Sequence, residues 1–188
     1  MTVWQQGWLQ TAIQTPSPNF GVRSRVPDLV VLHNISLPPF EYGSHSAQAL
    51  FQNQIDAHAH PFFSVIEHFR VSSHFLIERN GDVYQCVSCD DAAYHAGLSA
   101  FHGEAACNGF SIGIELEGCD FEPFCEAQYT TLLTLLPQLQ RQYPIRAITG
   151  HQHIAPERKT DPGHFFDWWR LQQWGLPIDF NQTVAKLG

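Results

Sequence analysis

Between Thr149 and Gly163 the chain gathers two imidazoles (His151 and His153), a lysine (Lys159) and a carboxylate (Asp161). Pro156 and Pro162-Gly163 exclude a regular helix or a central strand across this stretch, so it reads as a constrained loop. Polar groups fixed on such a loop point to a site rather than to packing. Far upstream, Leu29-Val30-Val31-Leu32-His33-Asn34 is an apolar, β-rich run that ends in a histidine. If that strand end meets the loop, His33, His151 and Asp161 supply two imidazoles and one carboxylate. That is the ligand count of a catalytic zinc with its fourth position open. Ligand type alone also admits iron(II); zinc is favoured because a nearby lysine and glutamate suit hydrolysis. On an extended backbone His151 and His153 share a face. Taken singly, each residue has a plainer use: a histidine bonding a carbonyl, a polar loop, an Asp-Pro turn. The three together favour a metal.

A general base and an oxyanion partner are also needed. Phe110-Ser111-Ile112-Gly113-Ile114-Glu115-Leu116-Glu117 alternates strictly, with Phe110, Ile112, Ile114 and Leu116 on one face and the two glutamates on the other. Either glutamate can serve as the base by parity, or both can decorate a solvated strand face. Gly113 leaves room beside Glu115. Lys159 stands two residues before Asp161, where it can stabilise a developing oxyanion or simply be an exposed loop cation.

The elements that must position these groups are legible in outline. Residues 1–28 read as an irregular wrapping segment, Leu29 to His33 as a buried strand, and Leu37 to Gly43 as a loop. Ser46 to Gln52 suits a short helix, and Ile55 to Phe69 has no clear pattern. Ser73 to Glu78 and Asp82 to Val87 flank Arg79-Asn80-Gly81 as a hairpin. Glu126 to Tyr143 is amphipathic and helical with Pro137 as a kink, Ala147 to Thr149 is a short strand, and His164 to Trp174 is a helix. The string predicts a mixed central β-sheet flanked by helices, in the α/β or α+β class.

With 188 residues and 44% hydrophobic content, the chain is expected to form a single domain, residues 1–188, with a real core. A net charge of -8 without a basic patch argues against nucleic acid. No apolar run is long enough to span a membrane, and the N-terminus has no signal core. Of the eleven histidines, His45, His58, His60 and His68 read as surface or edge groups. Five cysteines cannot all pair, and the lone Cys86-Val87-Ser88-Cys89 spacing lacks a second ligand pair, so free thiols in a reducing, cytoplasmic setting are expected.

The segments Leu32 to Pro39, Ala59 to Phe63, Phe69 to His74, Tyr94 to Gly97, Phe110 to Gly118 and Ile154 to Gly163 resemble the zinc amidase family. That family includes phage lysozyme-type amidases and peptidoglycan recognition proteins, and the likeness is to its cell-wall recycling branch. It runs from about Gly7 to Trp168. The resemblance implies zinc in a groove on one face of the sheet, with His33, His151 and Asp161 as ligands. It places Glu115, not Glu117, and Lys159 at the catalytic positions, and Asn34, Arg70 and His95 near the substrate groove. It implies zinc-dependent hydrolysis of the lactyl amide between 1,6-anhydro-N-acetylmuramic acid and the L-alanine of muropeptides, with Glu115 shuttling the proton. The alternatives are a general amidase acting on intact wall, and a muropeptide-recognition module, which the full ligand set argues against. No protein partner is implied. Two positions depart from the pattern: His153 stands where aspartate is usual, and Ala106 where an arginine is usual.

Overall fold

A computed structural model describes residues 3–182. Its centre is a six-stranded mixed sheet built from β1 (Ile13–Gln14), β2 (Leu29–Ile35), β3 (Phe75–Ile77), β4 (Val83–Gln85), β5 (Ser111–Glu117) and β6 (Ala147–Gly150), in the order β6-β2-β5-β3-β4-β1. β5 runs parallel to both β2 and β3, and β6 parallel to β2. β3 and β4 form the antiparallel hairpin, with Gly81 N–H closing onto the Glu78 carbonyl. The expected mixed sheet with flanking helices is what forms.

Alternation sorts the side chains. Val30, Leu32, Ile112, Ile114, Leu116 and Ile148 pack with Leu132, Leu135, Leu136 and Leu139 of the helix α3 (Glu126–Gln142). On the opposite face Leu29, Val31, Phe101, Phe110 and Ile154 form a second cluster; Phe110, expected to share a face with Ile112, precedes β5 and packs on this side instead. All seven residues of β5 are buried, so its glutamate face is covered rather than solvated, a correction to the solvated-face reading. Two short helices, α1 (Ser46–Phe51) and α2 (Phe63–Ile66), carry Leu50, Phe63 and Ile66 onto Leu37 in a third cluster.

Three local expectations need correction. Residues 1–28 do more than wrap: β1 adds an edge strand parallel to β4, and Phe20–Gly21 pairs with Ala92–Ala93. The C-terminal helix α5 covers only Trp168–Gln173, because Asp167 caps its start by accepting from Arg170 N–H. The loop expected at residues 151–154 is a one-turn helix, α4 (His151–Ile154). Gly150 is extended before it, and His153 Nδ1 accepts the Gly150 N–H at 3.0 Å. This is the third-residue half of a capping box, with an imidazole in place of the usual Glu or Gln. α3 runs through Pro137.

Candidate active site

Parallel register places Glu115 directly beside His33, both near the carboxyl ends of their strands. His151 follows β6 immediately, and β6 pairs with β2, so the histidine arrives at the same end of the sheet. Open parallel sheets characteristically place their sites at this end. The Gln152 N–H bonds the Asp161 carbonyl at 2.8 Å and folds the loop back, which brings Asp161 in.

The result is a tight triangle. His33 Nδ1, His151 Nδ1 and Asp161 Oδ2 are mutually 3.0 Å apart. A tetrahedral ion with ligands at ~2.0–2.1 Å has ligand edges of roughly 3.3 Å, close to this spacing. The chemistry of the three atoms agrees with the spacing. His151 Nε2 lies 3.1 Å from the Ala96 carbonyl, which only accepts, so Nε2 holds the proton and Nδ1 turns a lone pair inward. Burial pulls the His33 pKa down to about 4, so the ring is neutral at pH 7. Burial pushes the Asp161 carboxyl up, and with both Nδ1 atoms bare only a cation among the three groups holds it ionised. Three electron-pair donors converging without a cation repel one another, and a metal ion removes that conflict. His33, His151 and Asp161 therefore form a cluster fit to hold a metal ion.

His153, the histidine expected to share a face with His151, does not reach the cluster. On a helix, positions two apart diverge. Its Nδ1 is spent on Gly150, and its ring packs against Trp168 and Phe180.

Glu115 lines a cleft of about 530 Å³ together with the metal cluster. It is 9% exposed, and its Oε2 has no protein partner. Burial first, then the Asp161 charge, raises its pKa well above the usual carboxylate range, while Lys159 opposes that rise. Lys159 is exposed on the cleft wall. Glu117 differs: its carboxylate accepts the N–H groups of Gly43 at 2.5 Å and Arg79 at 3.2 Å, tying a loop to the sheet.

The three residues expected at the groove are placed unequally. Asn34 lines the cleft, but its amide donates to Asp120 Oδ1 at 2.6 Å and to the Pro162 carbonyl. His95 also lines the cleft, with both ring nitrogens bonded inside the protein. Arg70 is exposed and bonds the Glu67 and Phe69 carbonyls; with Arg158 and Lys159 it lines an adjoining pocket. Sequence reasoning missed Asp120. It holds Asn34 on one oxygen and Thr160 on the other, so it braces the segment that carries Lys159 and Asp161. An aspartate after Gly118-Cys119 carries no pattern that would reveal this. Cys86 and Cys89 are buried and free, and burial raises both thiols, Cys86 to about 11, which fits inert core cysteines.

Residues 23–164 match the model of the N-acetylmuramoyl-L-alanine amidase family. The chain belongs to this family. The 1,6-anhydro-N-acetylmuramyl-L-alanine amidase AmpD of Citrobacter freundii is 50% identical over 183 residues, covering 95% of this chain and 98% of that protein. Family membership extends to the fold. The crystal structure of a selenomethionine AmpD derivative superposes with a TM-score of 0.89 at 48% identity, covering 92% of this chain and 98% of that one. A complex of the N-acetylmuramyl-L-alanine amidase AmiD from E. coli with the substrate anhydro-N-acetylmuramic acid-L-Ala-D-gamma-Glu-L-Lys gives 0.58 at 27% identity, covering 92% of this chain and 65% of that one. Among the described residues no helix is long and apolar enough to cross a membrane.

Proposed function

We propose that this amidase hydrolyses the lactyl amide between 1,6-anhydro-N-acetylmuramic acid and the L-alanine of muropeptides, as a zinc enzyme of peptidoglycan recycling. The observation that carries the reading is 50% identity to AmpD across 95% of the chain. The inward-facing donor triangle on the cleft supports it.

His33, His151 and Asp161 would hold the zinc. When bound, it supplies a Lewis acid that brings a water's pKa from about 15.7 toward about 7 and polarises the amide carbonyl. The Glu115 carboxylate, which lines the cleft, takes the proton of the attacking water and returns it to the departing alanine nitrogen. A raised carboxyl pKa suits both halves of that exchange. The Lys159 ammonium offsets the negative charge that grows on the carbonyl oxygen. Arg70, beside Arg158 and Lys159, offers cationic surface to the anionic stem peptide. His95 acts on the substrate only indirectly, since both its ring nitrogens are bonded within the protein, whereas Asn34 commits its amide nitrogen to Asp120 and Pro162 and offers the substrate its Oδ1.

We place the activity in the cytoplasm and assign residues 1–188 to one catalytic domain. All five cysteines are free, as a reducing compartment allows, and every proposed ligand and catalytic group hangs from one sheet or the loops leaving it. The test is product analysis. Mass spectrometry should show free L-Ala-headed peptide from an anhydro-muramyl tripeptide at a much higher kcat/KM than from a reducing-end muropeptide. Equal kcat/KM for the two would replace the recycling role with that of a general wall amidase.

A further inference from the structure

We propose that Ser111 and His95 form a proton-ordered relay that fixes the tautomer of His33 and so presents its Nδ1 lone pair to the metal. The inference rests on the zinc reading above and adds two positioning residues to it. Both come from outside the ligand set, on β5 and on the turn after Tyr94.

The relay is read from its outer end. The Ser111 hydroxyl donates to the Cys107 carbonyl at 2.6 Å, which spends its only proton. Its oxygen can then only accept from His95 Nε2, 3.1 Å away, so His95 carries its proton on Nε2. His95 Nδ1 is left as an acceptor and faces His33 Nε2 at 2.9 Å. His33 must donate there, and its own Nδ1 turns a bare lone pair toward His151 and Asp161. The carbonyl at the far end sets the direction, because a carbonyl cannot donate.

The surroundings hold the relay in place. The His95 ring lies against Gly113, where a Cβ would come within 2.4 Å of His95 Cγ. The N–H groups of His95 and Ala96 both bond Asn108 Oδ1, at 3.1 and 2.8 Å. Ala96 in turn offers the carbonyl that orders His151. One turn, clamped by Asn108, therefore orients both imidazole ligands. Partners of this kind typically contribute 10–100-fold in metal affinity.

The test measures zinc dissociation constants by competition with a chromophoric chelator, and imidazole tautomers by ¹⁵N-resolved NMR of the zinc-loaded protein. Wild type should show His33 and His151 both protonated on Nε2. His95→Leu should weaken zinc roughly 10–100-fold. His95→Asn, whose Oδ1 can accept where Nδ1 did, should recover most of that loss. Ser111→Ala should weaken zinc less and let His95 populate the other tautomer. A protonated Nδ1 on His33 in the loaded wild type, or wild-type zinc affinity in both His95→Leu and Ser111→Ala, would overturn the relay. A wild-type protein without tight zinc would overturn the metal reading itself. If His95→Leu does not fold, the Ser111→Ala tautomer spectrum decides.

Discussion

Lys159 and Glu115 divide the work at the scale of single side chains. Lys159 is exposed, so its removal creates no cavity and little instability. Its charge acts where negative charge develops, so Lys159→Ala should lower kcat by about 10²–10³ with a smaller change in KM. Steady-state kinetics check this, and an unchanged kcat with raised KM would reduce Lys159 to a binding cation. Glu115→Gln removes the proton acceptor at nearly constant shape. Zinc content should survive while turnover falls by at least the ~10²–10⁴ typical of a lost general base. His33→Ala should lose tight zinc instead, as read by metal analysis after dialysis. Chelation of the wild type should abolish activity, and one equivalent of zinc should restore it.

At the scale of elements, the site is a matter of register and of what each turn is made from. β5 carries Ser111, Gly113 and Glu115 on one face, beside Leu29, Val31 and His33 of β2. Gly113 is the void in that row, and the His95 ring fills it. Gly113→Ala must displace His95. It should weaken zinc binding and cost about 1–3 kcal/mol of stability, the range for overpacking a tight core; wild-type zinc affinity in this variant would show the ring is free to move. Glu117→Gln should leave kcat unchanged while lowering stability by about 1–2 kcal/mol, because a carboxylate bridging two N–H groups becomes an amide. A denaturant titration beside an activity assay separates the two effects. These elements also show what the sequence could carry. Alternation in residues 111–117 revealed the strand and the shared face of its glutamates, although it wrongly extended to Phe110. It did not reveal burial, since the covering layer comes from distant segments. Choosing Glu115 over Glu117 required family resemblance, and the structure then supplied the physical difference. His33, His151 and Asp161 were legible as donor types at strand ends. The turn at residues 151–154 was misread because an imidazole acting as a helix cap has no composition cue. His95 was placed at the groove, but its hydrogen bonds to His33 and Ser111 depend on a turn no local pattern specifies.

For the molecule as a whole, burying so many imidazoles under one sheet ties folding to pH. Burial pulls His33 down to about 4, and pulls His74 and His95 well below their ordinary value. Unfolded, each titrates near 6.5. Between those limits the unfolded chain binds protons that the folded chain refuses, so acidification favours unfolding. Glu115 works the other way. Burial raises its folded pKa, so the folded chain takes that proton first and gains stability as pH falls. The net charge of -8 shrinks on acidification and eases self-repulsion, a screened and gradual effect. Three buried imidazoles against one carboxyl leave a net loss of stability from pH 7 to pH 5. The metal-free protein should therefore melt several degrees lower at pH 5, at about 2–4 °C per kcal/mol for a chain of this size. Zinc binds only the folded, deprotonated ligands, so saturating zinc should raise Tm at pH 7 and lose that advantage toward pH 5. Calorimetry of the chelated and zinc-loaded forms across this range decides it. A metal-free Tm that stays level or climbs between pH 7 and pH 5 would mean that the buried histidines find protons in the folded state, and the neutral, lone-pair-inward ligand set would have to be abandoned.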